Sequence, residues 1–440
     1  MGAAPPPGAT LRLAFLFGTL YFVQGFGEPT EGLVAQPTRS LLKGWGYGTE
    51  EITRFMFVLG LPWLLKPLLG LLSDFVPLGG SHRRNYLLAT TLLTTVGLAG
   101  AWSMQLGAGA VWTLLALLLL PSCGIAFSDV VADAHMVETG QPLGITGRLQ
   151  SVQWASLYSA GVLTGFVGGW LTEHGLQAAG YLLCGLLALV SFSTCWGFVK
   201  EPPRPRPPAG GLGQALRTLL RAASSPVVVG VGGFMFLLNF NPFSSTILNE
   251  YVTEHLRLSE QDYGIGNSCL SAGAIAACVA YGAYCRAISR GALIHLSIFT
   301  GVLCTLLYWG LSGRVSLMVV SVLSGFCYMT AGLVSLDLAA RACDPTTAGT
   351  VFALLMALCN LSVSLAGLVG GELWARLFPA LGPHRSYQAL VGLGALCTAG
   401  CWVLVWAYYP LLVEQTGPAG QAPLPGPGQR GDSTSEESAP

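Results

Sequence analysis

Runs of roughly 20 apolar residues recur along almost the whole chain, and no other feature restricts the fold so tightly. At 1.5 Å rise per residue, a helix of that length matches about 30 Å of hydrocarbon. Lipid offers the backbone no hydrogen-bonding partner, so a chain immersed in it must satisfy its amides internally, as a helix does. The composition agrees. Of 440 residues, 52% are hydrophobic and only 10% are charged, whereas about a quarter are charged in an ordinary soluble domain. The expectation is an all-α membrane protein.

The apolar runs place twelve transmembrane helices near 11–30, 53–73, 85–106, 110–132, 149–171 and 178–199, then near 226–247, 264–285, 292–312, 315–340, 348–373 and 387–409. Pro202, Pro203, Pro205, Pro207 and Pro208 precede the helix-like GLGQALRTLLRAA, which reads as a cytosolic linker over 200–225. It separates an N-terminal six-helix bundle (11–199) from a C-terminal one (226–410). Residues 1–10 read as a short cytosolic tail, and 411–440, rich in Pro, Gly, Ser and Glu, as a disordered one. The stretch GRLQSVQWASLYSAGVLTGFVGGWL from Gly147 realigns on GTVFALLMALCNLSVSLAGLVGGEL from Gly349, one half later. Repeated halves place a substrate near the midplane between them.

Most of the 21 basic residues, among them Arg83, Arg84, Arg148, Lys200, Arg204 and Arg206, fall on the side that holds both termini. Cytosolic segments retain Lys and Arg, so both termini are expected in the cytosol. The net charge is zero, and no basic surface points to nucleic acid. The 12 cysteines lie mostly inside apolar runs without metal-ligand spacing, so neither a metal site nor a cofactor is expected. No H-E-x-x-H, G-x-S-x-G or Walker loop is present, which argues against an enzyme and against ATP as the driving force.

GLLSDFVPLGGSHRR, from Gly70 to Arg84, resembles the loop signature of the major facilitator superfamily. Within that superfamily YFVQGFGEPTEGL at Tyr21, LPWLLKPLLGLLSD at Leu61, FSDVVADAHMVE at Phe127 and GRLQSVQW at Gly147 are similar to the folate-biopterin transporter family. The second-half loop GAYCRAISRG keeps Arg286 and Arg290 but has no acid. The resemblance implies uptake of a pterin, folate or another conjugated solute, coupled to protons, by a monomer in a lipid bilayer. Muropeptide and acetyl-CoA carriers share part of the pattern, and a receptor with a transporter fold is the further alternative.

Ionisable residues inside spans are costly and few, so each asks for a partner or a role. Asp129 and Asp133 share a face of the fourth span, with Lys66 at comparable depth on the second. One of these carboxylates is expected to carry a coupling proton, the plainer alternative being a structural ion pair. A flat heteroaromatic substrate asks for aromatic and amide partners, for which Tyr21, Gln24, Glu28, Gln150, Gln153, Trp154, Asn239 and Asn241 are the candidates. The amides could equally serve as interhelical hydrogen bonds. Asp74, Arg83 and Arg84 at the signature loop, and Asp337 on the tenth span, are the candidate gating groups; an ion pair with Arg341 is the simpler role for Asp337.

Overall fold

A computed structural model describes residues 7–104, 107–140, 142–143, 145–201, 213, 216–217, 220–221, 223–284, 288–342 and 348–409. The expected C-terminal tail, most of the linker and the first six residues lie outside that set. So do the side chains of Arg148, Arg290 and Arg341.

The first half contains α1 (Pro7–Gly27), the short α2 (Ala35–Gly44), α3 (Thr49–Gly60), α4 (Lys66–Phe75), α5 (Arg84–Ser103), α6 (Val111–Gly140), α7 (Thr146–Glu173) and α8 (Gln177–Phe198). The second contains α9 (Pro226–Asn239), α10 (Ser245–Glu250), α11 (Glu260–Tyr284), α12 (Arg290–Leu306), α13 (Arg314–Ala342), α14 (Ala348–Ala399) and α15 (Cys401–Tyr409). Helix lies within each expected window. Eight segments among the described residues are long and apolar enough to cross a bilayer.

Three boundaries differ from expectation, each where proline or glycine alters the backbone. The second window is one path in three pieces, α3 and α4 being joined by a 3-10 turn over Leu61–Leu65. Pro62 and Pro67 cannot donate to an α-helical ladder there. The seventh window is not a single helix: α9 stops at Asn239 and α10 begins at Ser245. Pro242 disfavours helix at the residue before it, and Asn241 caps the break by accepting from the Phe243 amide at 3.1 Å. The eleventh helix runs past 373 to Gly382, whose φ of +74° turns the chain into the last span. Glycine takes that left-handed conformation without a Cβ penalty.

Each half has its own buried core. Leu33, Leu59, Leu114 and Tyr181 belong to one cluster in the first half, and Ile247, Tyr251, Tyr387 and Val391 to one in the second. The halves meet along two seams, α7 against α11 and α3 with α4 against α14. In the first seam the backbones touch: a Cβ built on Gly165 would lie 2.5 Å from the Gly264 carbonyl oxygen. Small residues permit this approach.

A methyl group at either glycine has nowhere to go, because the obstacle is backbone. Gly264→Ala is therefore expected to destabilise the protein by about 1–3 kcal/mol through overpacking. Gly233→Ala, with nothing within 4 Å of its Cβ, should be neutral or slightly stabilising. Thermal unfolding in detergent separates the two.

Candidate functional site

Four segments bring their polar side chains to one point. On α6 a four-residue spacing puts Asp129 and Asp133 one turn apart on the same face. Lys66, the first residue of α4, forms an ion pair with Asp129 at 2.5 Å, and its ammonium lies 4.4 Å from the centre of the Trp63 ring. From α1, Gln24 donates to Asp129 at 2.7 Å and the Tyr21 hydroxyl donates to Asp133. From α7, Gln153 donates to Asp133 at 3.2 Å.

The two aspartates are thus treated differently. Asp129 is 5% exposed and carries its countercharge directly, which is how a buried charge is tolerated. Asp133 is half-buried and is held by Tyr21 and Gln153, both uncharged. Of the pair, only Asp129 has Lys66 within ion-pairing distance among the described residues.

The other expected binding residues scatter. Trp154 stacks on Tyr158 with ring centres 6.0 Å apart and packs against Ala274, Ala277 and Met329 of the second half. Tyr158 was not among the expected residues, and its hydroxyl meets the Met329 sulfur at 2.6 Å. Gln150 is exposed. Glu28 does not join the cluster: it accepts from the Thr30 amide and hydroxyl, the Glu31 amide and the Trp63 ring nitrogen, fixing the turn after α1. Asn239 donates to Met235 and Asn241 to Thr305, bonds within their own half.

At the signature loop Arg83 is 2% exposed and donates to Asp74 at 2.6 Å, Glu138 at 2.7 Å and Ser73 at 2.9 Å. All three lie in the first half. The Arg84 guanidinium turns to the end of α8. It lies over the Trp196 ring and donates to the Trp196 carbonyl. Asp337 is half-buried on α13, and its expected partner Arg341 has no described side chain.

The acid that the sequence did not single out is Glu201. It accepts from the amides of His82, Arg83 and Arg84 and from the Ser81 hydroxyl, at the positive end of α5. Burial raises this carboxyl, but the hydrogen bonds from Ser81 and the three amides outweigh it and bring it down to about 2. A depressed carboxyl stabilises the fold above its ordinary value of 4.5 and loses that contribution as pH falls toward about 2. The difference in thermal stability between wild type and Glu201→Gln should be flat above pH 4.5 and shrink below it.

The BT1 family profile matches residues 39–393, which is most of the chain. The chain belongs to the BT1 family. It is 26% identical over 384 residues to a folate-biopterin transporter of Synechocystis sp., covering 81% of this chain and 73% of that protein. It is 22% identical over 454 residues to probable folate-biopterin transporter 4 of Arabidopsis thaliana, covering 86% and 91%. Among solved structures the fold is similar to a point mutant of the nucleoside transporter NupG, with a TM-score of 0.69 and 14% identity over 91% of this chain and 99% of that one. A D-xylose-proton symporter matches with a TM-score of 0.66 and 15% identity over 92% and 98%. This BT1-family chain is therefore a multi-pass membrane transporter that shares its fold with those solved transporters, and neither its family nor its structural neighbours are enzymes.

The two halves of this transporter are bolted together at the end opposite the signature loop, largely through residues that sequence reasoning missed. Gln36, Arg39 and Lys43 recur at helical spacing along one face of α2. Gln36 donates to the Glu260 carboxylate at 2.8 Å, Arg39 to Ser245 at 3.1 Å and Lys43 to Thr253 at 2.8 Å. Lys43 also pairs with Glu250 at 3.3 Å, and Arg54 pairs with Glu372. The three-and-four spacing of polar residues was the available signal, in a ten-residue helix too short to register as a span.

Proposed function

We propose that this protein is a secondary active transporter that moves a folate- or pterin-like solute by alternating access and couples that movement to protons. The carrying observation is Asp133, held by Tyr21 and Gln153 beside the neutralised Lys66–Asp129 pair. A carboxylate so placed can gain or lose a proton without an ion pair of its own being broken first, and its two partners come from α1 and α7. A change in their packing would therefore reach it. The names of the relatives supply the solute class, and the stacked Trp154 and Tyr158 supply flat aromatic surface at the junction of the halves.

In this reading Gln24 and Gln150 contribute amide contacts, while Asp74, Arg83 and Arg84 stabilise one end of the first half during rocking. Asp337 does so on the second. The working unit is a monomer of two six-helix bundles with both termini cytosolic.

The test is uptake of radiolabelled folate and of a pterin by proteoliposomes under an imposed inward proton gradient. Accumulation that collapses with a protonophore supports the reading. No uptake of either compound would turn attention to other conjugated solutes, or to a receptor role. Uptake indifferent to the gradient would keep the solute and remove the coupling.

A further inference from the structure

A groove of about 420 Å³ lies between α1 and α8, lined by Phe15, Leu189, Val190, Ser193, Thr194 and Phe198. Phe15, Leu189 and Val190 are 53%, 43% and 50% exposed, so the groove opens on the outer, lipid-facing surface and not into the polar cluster. Its two hydroxyls are already engaged: Ser193 donates to the Leu189 carbonyl at 2.9 Å and Thr194 to the Val190 carbonyl at 2.8 Å. What remains is a trough with apolar walls.

The mouth of that trough is positively charged. Arg12 sits one turn before Phe15 on α1, 5.5 Å from the centre of the Phe198 ring, and donates to the Phe198 carbonyl at 3.2 Å. On the other side of the α8 terminus Arg84 lies 4.9 Å from the centre of the Trp196 ring and donates to the Trp196 carbonyl at 3.2 Å. Lys200, just beyond, is exposed. Among the described residues neither arginine has a carboxylate within ion-pairing distance; the nearby Glu201 turns its oxygens to Ser81 and three backbone amides. Each guanidinium uses one of its five donors on a carbonyl; in Arg84 the Nε is buried as well, so Arg12 is the cation with more donors to offer.

We infer that the α1–α8 groove binds an anionic phospholipid, with an acyl chain along Phe15, Leu189 and Val190 and the phosphate at Arg12. The apolar walls and the acid-free guanidiniums are separate observations that suit the two parts of one molecule. Charge selects the headgroup, because the cation of a choline lipid would face Arg12 and the positive charge around it. Planar guanidinium forks match phosphate oxygens.

Native mass spectrometry of the full-length protein, with phosphatidylglycerol and phosphatidylcholine of identical chains titrated in turn, reads the preference directly. Wild type should retain phosphatidylglycerol preferentially. Arg12→Gln should cut the preference about fivefold, on the order expected for one cation beside an anionic headgroup, and Arg12→Lys should keep most of it. Val190→Trp, which fills the groove, should reduce retention of both lipids. Circular dichroism of each variant checks the fold, and the comparison within wild type stands even if a variant fails. Equal retention of the two lipids by wild type, or an undiminished preference in folded Arg12→Gln, would overturn the proposal.

Discussion

Asp133→Asn should abolish proton-driven accumulation while exchange of substrate across the membrane continues. Asparagine keeps the shape of the side chain and can still accept from Tyr21 and Gln153, so the contacts that join α1, α6 and α7 survive. It cannot bind or release a proton near neutral pH. A transporter that cycles only when loaded then equilibrates labelled against unlabelled substrate but cannot build a gradient. The measurements are net uptake under an imposed proton gradient and counterflow in the same proteoliposomes. Full accumulation by the variant would assign Asp133 to structure.

Lys66→Met is expected to cost about 3–5 kcal/mol of stability, the range for breaking a buried ion pair from one side. The side chains of Lys66 and Asp129 are only 13% and 7% exposed, so screening by water does little to soften the loss. Methionine leaves Asp129 buried with Gln24 as its remaining partner. Adding Asp129→Asn removes the orphaned charge, and the double variant should recover most of the stability. Chemical unfolding in detergent tests this, and a double variant as weak as the single one would show that Lys66 acts through packing on Trp63. Transport need not recover with stability, which separates the two roles of the pair.

The architecture was legible in the sequence because the bilayer simplifies the code. A single solvent with no hydrogen bonds turns length and apolarity into spans, and proline and glycine explain where spans break. The Lys66–Asp129–Asp133 cluster was legible for a related reason, since an ionisable residue in an apolar run has few places to go. Tyr21, Gln24 and Gln153 were picked out as polar groups in spans, but as substrate contacts; that three of their hydrogen bonds end on the two aspartates depends on how α1 and α7 pack around α6. The partnership of Arg83 with Glu138, 55 residues away, and the grip of Glu201 on the start of α5 have no local pattern at all. Asn239 and Asn241 show the converse. They were picked out as polar groups within a span, and bonds inside their own half had already claimed them.

The face of α2 closes the halves with hydrogen bonds and ion pairs instead of grease, and this bears on how fast the molecule can cycle. When Gln36, Arg39 and Lys43 let go, water takes over each donor and acceptor, so parting forfeits on the order of 1 kcal/mol per bond. An apolar seal would have to be wetted at roughly 25 cal/mol for every Å² uncovered, and it would stick. A clasp that opens for a few kcal/mol lies within what binding a solute can offset, in the alternating access proposed above.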